Sequence, residues 1–306
     1  MMQKNNLKTT KGGSNMMNEL LVRLTYRCNR KCEFCFNYIF DDKVNYDSNE
    51  AMDVEALIRF IQKHEIRKVH LSGGEPTMYR DIVPLIKRLS KIAKVSYFTN
   101  GMLFSRFDSE EIANMGIHRI KVSLYNEEIL DEGIQYQNMC KRIGEIKKKN
   151  PYIKFKAAFM IDTDFFDVIQ SKHYRQALEV FDSIKWQPLT VGNDHPLYAT
   201  TIEGMEPKVR DEIFRILSTF PDNKVEAYEA VLNNQPLDTC YMGRNYLTMN
   251  PDMSISLCPH LNGEKLSIEE YEKEVKKCRI FFENPTCRTM RCISLQAFLE
   301  KKYGGK

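Results

Sequence analysis

Three cysteines in one short polar loop are the residues of this chain best suited to chemistry. Cys28, Cys32 and Cys35 have the spacing C-x3-C-x2-C. Closed zinc sites and most iron–sulfur clusters use four protein ligands, so three thiolates leave one metal atom open to an outside molecule. An open coordination position is typical of a catalytic centre. On spacing alone, a zinc site completed from elsewhere in the chain, a disulfide with one spare thiol and a chance grouping remain alternatives.

A second motif, Gly73-Gly74-Glu75-Pro76, follows a strand-like segment further along the chain. Glycines carry no side chain, so the backbone at Gly73 and Gly74 can approach a ligand closely. Glu75 places a carboxylate at the same point. An ordinary strand-to-helix turn is the alternative reading of these four residues.

The elements that position these motifs are predicted from apolar periodicity. Strands are predicted at 20–25, 68–72, 95–98, 120–124, 155–161 and 184–191. Helices are predicted after a cap at Ser48 or Asn49, from about 81 to 93, after Asp108, and at 135–148, 174–181 and 207–217. This alternation predicts an α/β fold of about six parallel βα units, too few for a closed eight-unit barrel. Both motifs, Asn100 and Ser123 follow or end successive strands, so all are expected at one rim.

The run from Cys28 to Phe36 and the Gly-Gly-Glu-Pro motif together resemble the radical S-adenosylmethionine (SAM) superfamily. The resemblance implies a partial (β/α)6 TIM-like barrel. It also implies that Cys28, Cys32 and Cys35 each hold one iron of a 4Fe–4S cluster, while the methionine part of SAM chelates the fourth iron.

The resemblance further implies which residues contact SAM. These are Phe34 beside the adenine, Gly73, Gly74, Glu75 and Pro76 around the methionine amino group, and Asn100 and Ser123 at the ribose or the carboxylate. Asn100 is equally well explained as a turn residue before Gly101, and Ser123 as a plain strand end.

A second group of cysteines occupies the C-terminal part of the chain: Cys240, Cys258, Cys278, Cys287 and Cys292. A hairpin is predicted over 246–257, with its turn at Asn250-Pro251-Asp252. This arrangement resembles the SPASM/twitch extension of some radical SAM enzymes, which implies one auxiliary iron–sulfur cluster held by Cys240, Cys258, Cys287 and Cys292. Cys278, on a predicted helix at 268–281, is a third ligand, a packing residue or a reactive thiol. This C-terminal part departs from the full SPASM pattern by lacking the usual run of closely spaced C-x2-C pairs and by having Met253 in place of the hairpin glycine, so a zinc ribbon remains an alternative.

The composition of the chain indicates its size class, its domain organisation and its location in the cell. The chain has 306 residues, 42% of them hydrophobic, and a formal net charge of +4. We predict a disordered tail at 1–17, the barrel at 18–225 and a small twitch/SPASM-like domain of β-hairpin and helix at 226–306. Basic residues are dispersed, apart from a run at 147–149 that is typical of a solvated helix end, so nucleic-acid binding is not indicated. Without a signal segment or a long apolar stretch, the nine cysteines indicate a cytoplasmic protein that does not bind membranes.

The resemblance implies an enzyme that receives an electron from a flavodoxin- or ferredoxin-type donor and abstracts a hydrogen atom from its substrate. We expect modification of a ribosomally made peptide by cross-linking, oxidation or epimerisation, although the N-terminal segment is short for a leader-binding domain. The alternatives are oxidation of an alcohol of a small molecule, such as an aminocyclitol or sugar, and a non-enzymatic zinc-binding module. Candidates for further catalytic side chains are Cys140, Cys278 and Tyr125, with core packing as the alternative for Cys140.

Overall fold

The structure is a computed structural model, and it describes residues 19–35, 37, 52–125, 134–220, 224–233, 246–257 and 265–276. Its strands are β1 (Glu19–Arg23), β2 (Lys68–Ser72), β3 (Lys94–Thr99), β4 (Arg119–Leu124), β5 (Lys154–Ile161), β6 (Ser183–Pro188), β7 (Tyr246–Met249) and β8 (Ile255–Ser256). Its helices are α1 (Val54–Lys63), α2 (Ile82–Leu89), α3 (Ser109–Ala113), α4 (Ile134–Lys149), α5 (Phe165–Gln170), α6 (Lys172–Val180), α7 (Pro207–Leu217), α8 (Val225–Leu232) and α9 (Ile268–Lys276). Within these residues, no helix combines the length and the apolar character needed to cross a membrane.

One sheet runs through the described residues in the order β6-β5-β4-β3-β2-β1-β7-β8. β1 to β6 pair in sequence order and all in parallel. Side chains from β1 and from β6 line the same cavity, so the sheet curls toward closure. This confirms the predicted α/β fold with a parallel sheet, in the partial-barrel form.

Side chains along each strand point alternately to the two faces of the sheet, so one set lies in the core and the other lines the lumen. On β1, Leu20 and Val22 are fully buried on the outer face, whereas Glu19, Leu21 and Arg23 line the lumen. The outer faces of the neighbouring strands continue the same apolar layer beneath the helices. The hydrophobic core therefore lies between sheet and helices, and the lumen is lined by both polar and apolar side chains.

The start of α1 differs from the prediction. Asp53 is its N-cap and accepts a hydrogen bond from the Ala56 backbone N–H at 2.9 Å. The predicted cap at Ser48 or Asn49 was therefore wrong, because an aspartate directly precedes the segment that buries Leu57 and Phe60 and satisfies its first turn.

The predicted C-terminal hairpin is confirmed. β7 and β8 are antiparallel, and β7 also pairs in parallel with β1, so the hairpin extends the barrel sheet. Met253, in the place of the family glycine, has a φ of 66° in the left-handed region. The fully buried Asn250 accepts a hydrogen bond from Arg23 Nη1 at 3.1 Å and donates to Ser256 Oγ at 2.9 Å, which ties the turn to β1.

The helix that follows the hairpin packs on the barrel. Tyr271 of α9 is 2% exposed and lies against Phe60 of α1, with ring centroids 6.2 Å apart. Glu272 pairs with Lys63 at 2.7 Å. The predicted boundary between residues 225 and 226 falls at the first residue of α8, and the division into domains stays a prediction.

Candidate active site

A cavity of about 650 Å³ occupies the lumen and reaches the predicted rim. Its lining includes the predicted site residues Cys28, Cys32, Phe34, Cys35, Gly73, Gly74, Glu75, Asn100, Ser123 and Tyr125. The structure therefore brings residues from the ends of β1, β2, β3 and β4 to one concave surface, the end at which parallel barrels carry their chemistry.

The three cysteine thiols are free and half-buried. The Arg30 backbone N–H donates to Cys28 Sγ at 3.4 Å, and the Cys35 N–H donates to the Cys32 carbonyl at 3.0 Å, which closes a turn between two of the cysteines. Burial raises the pKa of the Cys28 thiol to about 11 and also raises that of Cys32. Bound metal would therefore displace protons from these thiols.

The arrangement of the thiols bears on which metal group fits. Among the described residues, no three histidine, cysteine, aspartate or glutamate side chains converge to hold a single metal ion. A four-iron cluster places each thiolate on a different iron, so it needs ligands further apart than those of one zinc ion. Three free thiols with a backbone N–H directed at one sulfur fit such a cluster, and the disulfide alternative does not occur in this loop.

Hydrogen bonds join the cysteine loop, the Gly-Gly-Glu turn and the loop after β3 into a closed ring. The Glu75 backbone N–H donates to the Arg27 carbonyl at 2.8 Å. Glu75 Oε2 accepts from the Asn100 backbone N–H at 2.8 Å, and Asn100 Nδ2 donates to Asn29 Oδ1 at 2.9 Å. Since Asn29 follows Cys28, the ring returns to the cysteine loop.

The Glu75 carboxylate is the centre of this ring. Its Oε1 accepts from the Thr77 N–H at 3.0 Å, the Thr77 hydroxyl at 2.6 Å and the Thr99 hydroxyl at 2.8 Å. Burial raises the pKa of Glu75 and these hydrogen bonds oppose that rise. In the described structure, the carboxylate thus holds two rim loops in register.

The two glycines are needed for packing within the protein. A Cβ at Gly74 would overlap the carbonyl oxygens of Tyr26 and Arg27, and one at Gly73 would overlap the Thr25 carbonyl. Gly73 also has a φ of +132°, which side chains rarely adopt. The close backbone approach predicted from the sequence is therefore made to the segment between β1 and Cys28. Pro76 follows as the first residue of a short 3-10 turn, Pro76–Met78, and is buried.

Tyr125 stands directly over the cysteine loop. Its ring lies 5.5 Å from the Phe34 ring, and the Arg30 guanidinium lies 4.4 Å from its centre. The Tyr125 side chain also hydrogen-bonds Cys32. Burial raises the pKa of Tyr125, so it stays a hydrogen-bond donor at neutral pH. The candidate catalytic residue thus contacts a predicted cluster ligand.

The remaining predicted residues have different surroundings. Asn100 Oδ1 accepts from the Met102 N–H at 3.0 Å, the turn geometry anticipated as the alternative for this residue. Cys140 is buried in the core beside Tyr136 and does not line the cavity. The C-terminal cysteines at 240, 258, 278, 287 and 292 lie outside the described residues, so their assignment stays a prediction.

Sequence reasoning missed several residues that build the site. Asn37 Nδ2 donates to the Gly73 carbonyl at 2.5 Å, and Thr99 bridges Glu75 and the Gly101 N–H. Only their positions in the sequence could have identified these residues as part of the site. Asn29, Arg30 and Asn37 lie within or close to the cysteine motif, and Thr99 ends a strand at the rim. Their partners come from other loops, which spacing does not reveal.

The segment that carries this site is similar in sequence to a known protein family. Residues 22–147 match the radical SAM superfamily. A GTP 3',8-cyclase of Syntrophomonas wolfei subsp. wolfei is 30% identical over 145 residues, which is 46% of this chain and 42% of that protein. A probable GTP 3',8-cyclase of Thermococcus kodakarensis is 34% identical over 110 residues, 35% of this chain and 34% of that protein. The chain thus spans less than half the length of these curated relatives.

Structural comparison extends over more of the chain. SuiB from Streptococcus suis, bound to its precursor peptide SuiA, superposes with a TM-score of 0.62 at 15% identity, covering 92% of this chain and 71% of SuiB. SuiB bound to S-adenosylmethionine gives 0.57 at the same identity. At this identity the likeness shows the fold alone. The match over 22–147 therefore assigns the part of the chain that carries the cysteine rim to the radical SAM superfamily, whose members use a 4Fe–4S cluster and SAM.

Proposed function

We propose that this chain is a radical SAM enzyme that modifies a ribosomally made peptide. One observation carries the proposal: a single cavity contacts the three cysteines and the Gly-Gly-Glu turn and continues into the lumen of the barrel. A cluster on the cysteines, SAM beside the turn and a substrate group in the lumen would therefore share one cavity.

In this proposal Cys28, Cys32 and Cys35 would hold the 4Fe–4S cluster, with a flavodoxin- or ferredoxin-type protein as its electron donor. When bound, the cluster would supply the electron for cleavage of SAM to methionine and a 5′-deoxyadenosyl radical, which would take a hydrogen atom from the substrate. The protein holds the cysteine loop in place through the Glu75 ring and covers it with Tyr125.

The size of the cavity supports a substrate that enters by one group. About 650 Å³ lies in the range of pockets that hold one ligand of drug size, so it can admit SAM and one side chain of a peptide. The peptide assignment is further supported by the likeness to SuiB, whose structure contains a precursor peptide. We propose Cys240, Cys258, Cys287 and Cys292 as ligands of one auxiliary cluster, which would accept an electron from the substrate and make a net oxidation possible.

A small molecule is the second candidate substrate. The curated relatives are named for cyclisation of GTP, and a cavity of about 650 Å³ suits a small ligand as well as a side chain. The proposed reaction would then be oxidation of an alcohol of that molecule.

The core of the proposal is tested by 5′-deoxyadenosine formation. Protein reconstituted anaerobically with iron and sulfide is mixed with SAM and dithionite, and the products are measured by chromatography. Wild type should form 5′-deoxyadenosine, Cys35→Ala should form none, and Cys140→Ala, which alters a core cysteine, should retain the activity. Wild-type protein that carries zinc alone or forms no 5′-deoxyadenosine would refute the enzyme assignment. Mass spectrometry of a precursor peptide encoded beside the gene then separates the peptide from the small-molecule substrate.

A further inference from the structure

Arg30 contacts two of the three cysteines of the rim loop. Its backbone N–H donates to Cys28 Sγ at 3.4 Å, and its side chain hydrogen-bonds Cys32. The side chain is half-buried and lines the cavity. A positive charge is therefore built into the loop that is proposed to hold the cluster.

The Arg30 guanidinium is held in place by side chains of other loops. It lies 4.4 Å from the centre of the Tyr125 ring, an arrangement that attracts a cation to the face of the ring. Its Nη1 donates to Met102 Sδ at 3.8 Å, and Asn29 Nδ2 donates to the same sulfur at 3.6 Å. Tyr125 follows β4 and Met102 follows β3, so two rim loops fix the position of this charge relative to Cys32.

The charge of Arg30 acts on the Cys32 sulfur. Burial raises the pKa of the Cys32 thiol, and the charge and the hydrogen bond of Arg30 oppose that rise because they favour the thiolate. Arginine side chains stay charged in proteins, so this effect does not depend on a protonation change. One electron added to a cluster on this sulfur adds one negative charge, and a nearby cation stabilises the reduced form more than the oxidised form.

Lys31, the next residue, provides a comparison within the same loop. It adjoins Cys32 in sequence, but it is exposed to solvent. Water and salt screen an exposed charge, whereas a half-buried charge acts through a lower effective dielectric constant. The two neighbouring cations should therefore differ in their effect on a cluster held by this loop.

We propose that the Arg30 guanidinium raises the reduction potential of a 4Fe–4S cluster held by Cys28, Cys32 and Cys35. This role of Arg30 rests on the proposed function and belongs to its first step, in which a flavodoxin- or ferredoxin-type donor loses one electron and the cluster gains it. No bond or proton changes place in that step. Arg30 acts through the Cys32 sulfur and is therefore a positioning residue. Without its charge, the same donor would leave a smaller fraction of the cluster reduced.

The test is the reduction potential of the cluster in anaerobically reconstituted protein without SAM, measured by a dithionite titration followed by electron paramagnetic resonance. Arg30→Met removes the charge and keeps an unbranched side chain. At a fixed potential, its ratio of reduced to oxidised cluster should fall about tenfold, which corresponds to a reduction potential about 59 mV lower. Arg30→Lys keeps the charge and should recover most of the wild-type ratio.

The matched control is Lys31→Met, which removes one positive charge from the exposed neighbour. It should change the ratio of reduced to oxidised cluster by less than about twofold. Arg30→Gln is a second neutral variant and should behave as Arg30→Met does. Iron and sulfide content and thermal unfolding are measured for every variant, so that potentials are compared only between folded proteins that carry the cluster.

Wild-type potentials in both neutral Arg30 variants would overturn the inference, as would a Lys31→Met shift as large as that of Arg30→Met. An Arg30→Lys potential as low as that of Arg30→Met would exclude charge as the cause. Loss of the cluster from both neutral variants would also overturn the inference, because Arg30 would then hold the loop together rather than tune the cluster. Formation of 5′-deoxyadenosine is scored separately: wild type that shows the expected potentials and forms none would count against the proposed function and not against the role of Arg30.

Discussion

Replacing Gly74 with alanine adds one methyl group where the Gly-Gly-Glu turn crosses the segment between β1 and Cys28. The new Cβ would overlap the carbonyl oxygens of Tyr26 and Arg27. Both contacts are with backbone atoms, so no side-chain rotation relieves them. The turn and this segment must move apart.

This movement breaks two hydrogen bonds between the turn and the segment before Cys28, which lowers the free energy of unfolding. The Gly74 N–H donates to the Thr25 carbonyl at 2.7 Å, and the Glu75 N–H donates to the Arg27 carbonyl at 2.8 Å. Losing two such hydrogen bonds costs about 2 kcal/mol, and the overpacking adds about 1–3 kcal/mol. We expect Gly74→Ala to lower the free energy of unfolding by about 3–5 kcal/mol.

Urea unfolding of the two matched variants Gly74→Ala and Gly144→Ala provides the assay. Gly144 lies inside α4, and a Cβ there would meet no atom within 4 Å. The same chemical change should therefore stabilise the protein by about 0.5–1 kcal/mol at Gly144, because alanine favours the helix. Equal unfolding midpoints for Gly74→Ala and wild type would refute the packing argument.

The Gly74 variant also tests whether the turn positions the cysteines. Arg27 directly precedes Cys28, so displacement of its carbonyl should disturb Cys28, the first proposed ligand of the cluster. Iron and sulfide bound after anaerobic reconstitution should fall in Gly74→Ala and stay at the wild-type level in Gly144→Ala. Full iron content in a destabilised Gly74→Ala protein would show that the cysteine loop holds its shape without the turn.

Three further changes probe other parts of the site. Asn250→Ala should lower the free energy of unfolding, measured in urea, by about 3 kcal/mol, because it removes the acceptor of the buried Arg23 and two hydrogen bonds to serines. The control Asn114→Ala removes one hydrogen bond from an exposed asparagine and should lower the free energy of unfolding by less than about 1 kcal/mol. The hydrogen bond from His70 lowers the pKa of Glu19 from 4.5 to about 2, so its ionised carboxylate stabilises the fold above pH 4.5, and this stabilisation is lost as the pH falls toward 2. Between pH 6 and pH 3, the free energy of unfolding of wild type should therefore fall by about 1–2 kcal/mol more than that of Glu19→Gln. Tyr125→Phe should lower the reduction potential of the bound cluster, followed by electron paramagnetic resonance, because it removes a hydrogen bond to the Cys32 sulfur while keeping the ring; an unchanged potential would contradict that role.

Much of the fold was predictable because its strands are short buried runs. The predicted strand at 68–72 matches β2, and the predicted helix at 207–217 matches α7. The helices α5 and α8 were missed. α5 has only six residues, too few for two turns of apolar periodicity, and α8 buries residues on several sides, so it shows little contrast between faces.

The site was predictable in its chemistry but not in its internal contacts. Local spacing identified the three cysteines and the Gly-Gly-Glu turn, because the residues of each motif lie close together in sequence. The hydrogen bonds that hold the surrounding loops join residues far apart in sequence, such as Asn29 with Asn100, and Arg23 with Asn250. Such pairs carry no periodic signal, because each partner is an ordinary polar residue at the end of a strand.

Gly73 and Gly74 show how local sequence and long-range contacts lead to different interpretations of the same residues. From sequence, a Gly-Gly pair after a strand indicates backbone that approaches a ligand. In the structure, the approach is to the segment that joins β1 to Cys28. The two interpretations are compatible, because a turn pressed against the cysteine loop also presents Gly73 and Gly74 to the cavity. A side chain at either position would act first by moving the cysteines. Loss of cluster and loss of SAM binding should therefore occur together in such variants, and a glycine variant that keeps its full cluster but loses SAM would indicate that the ligand approach dominates.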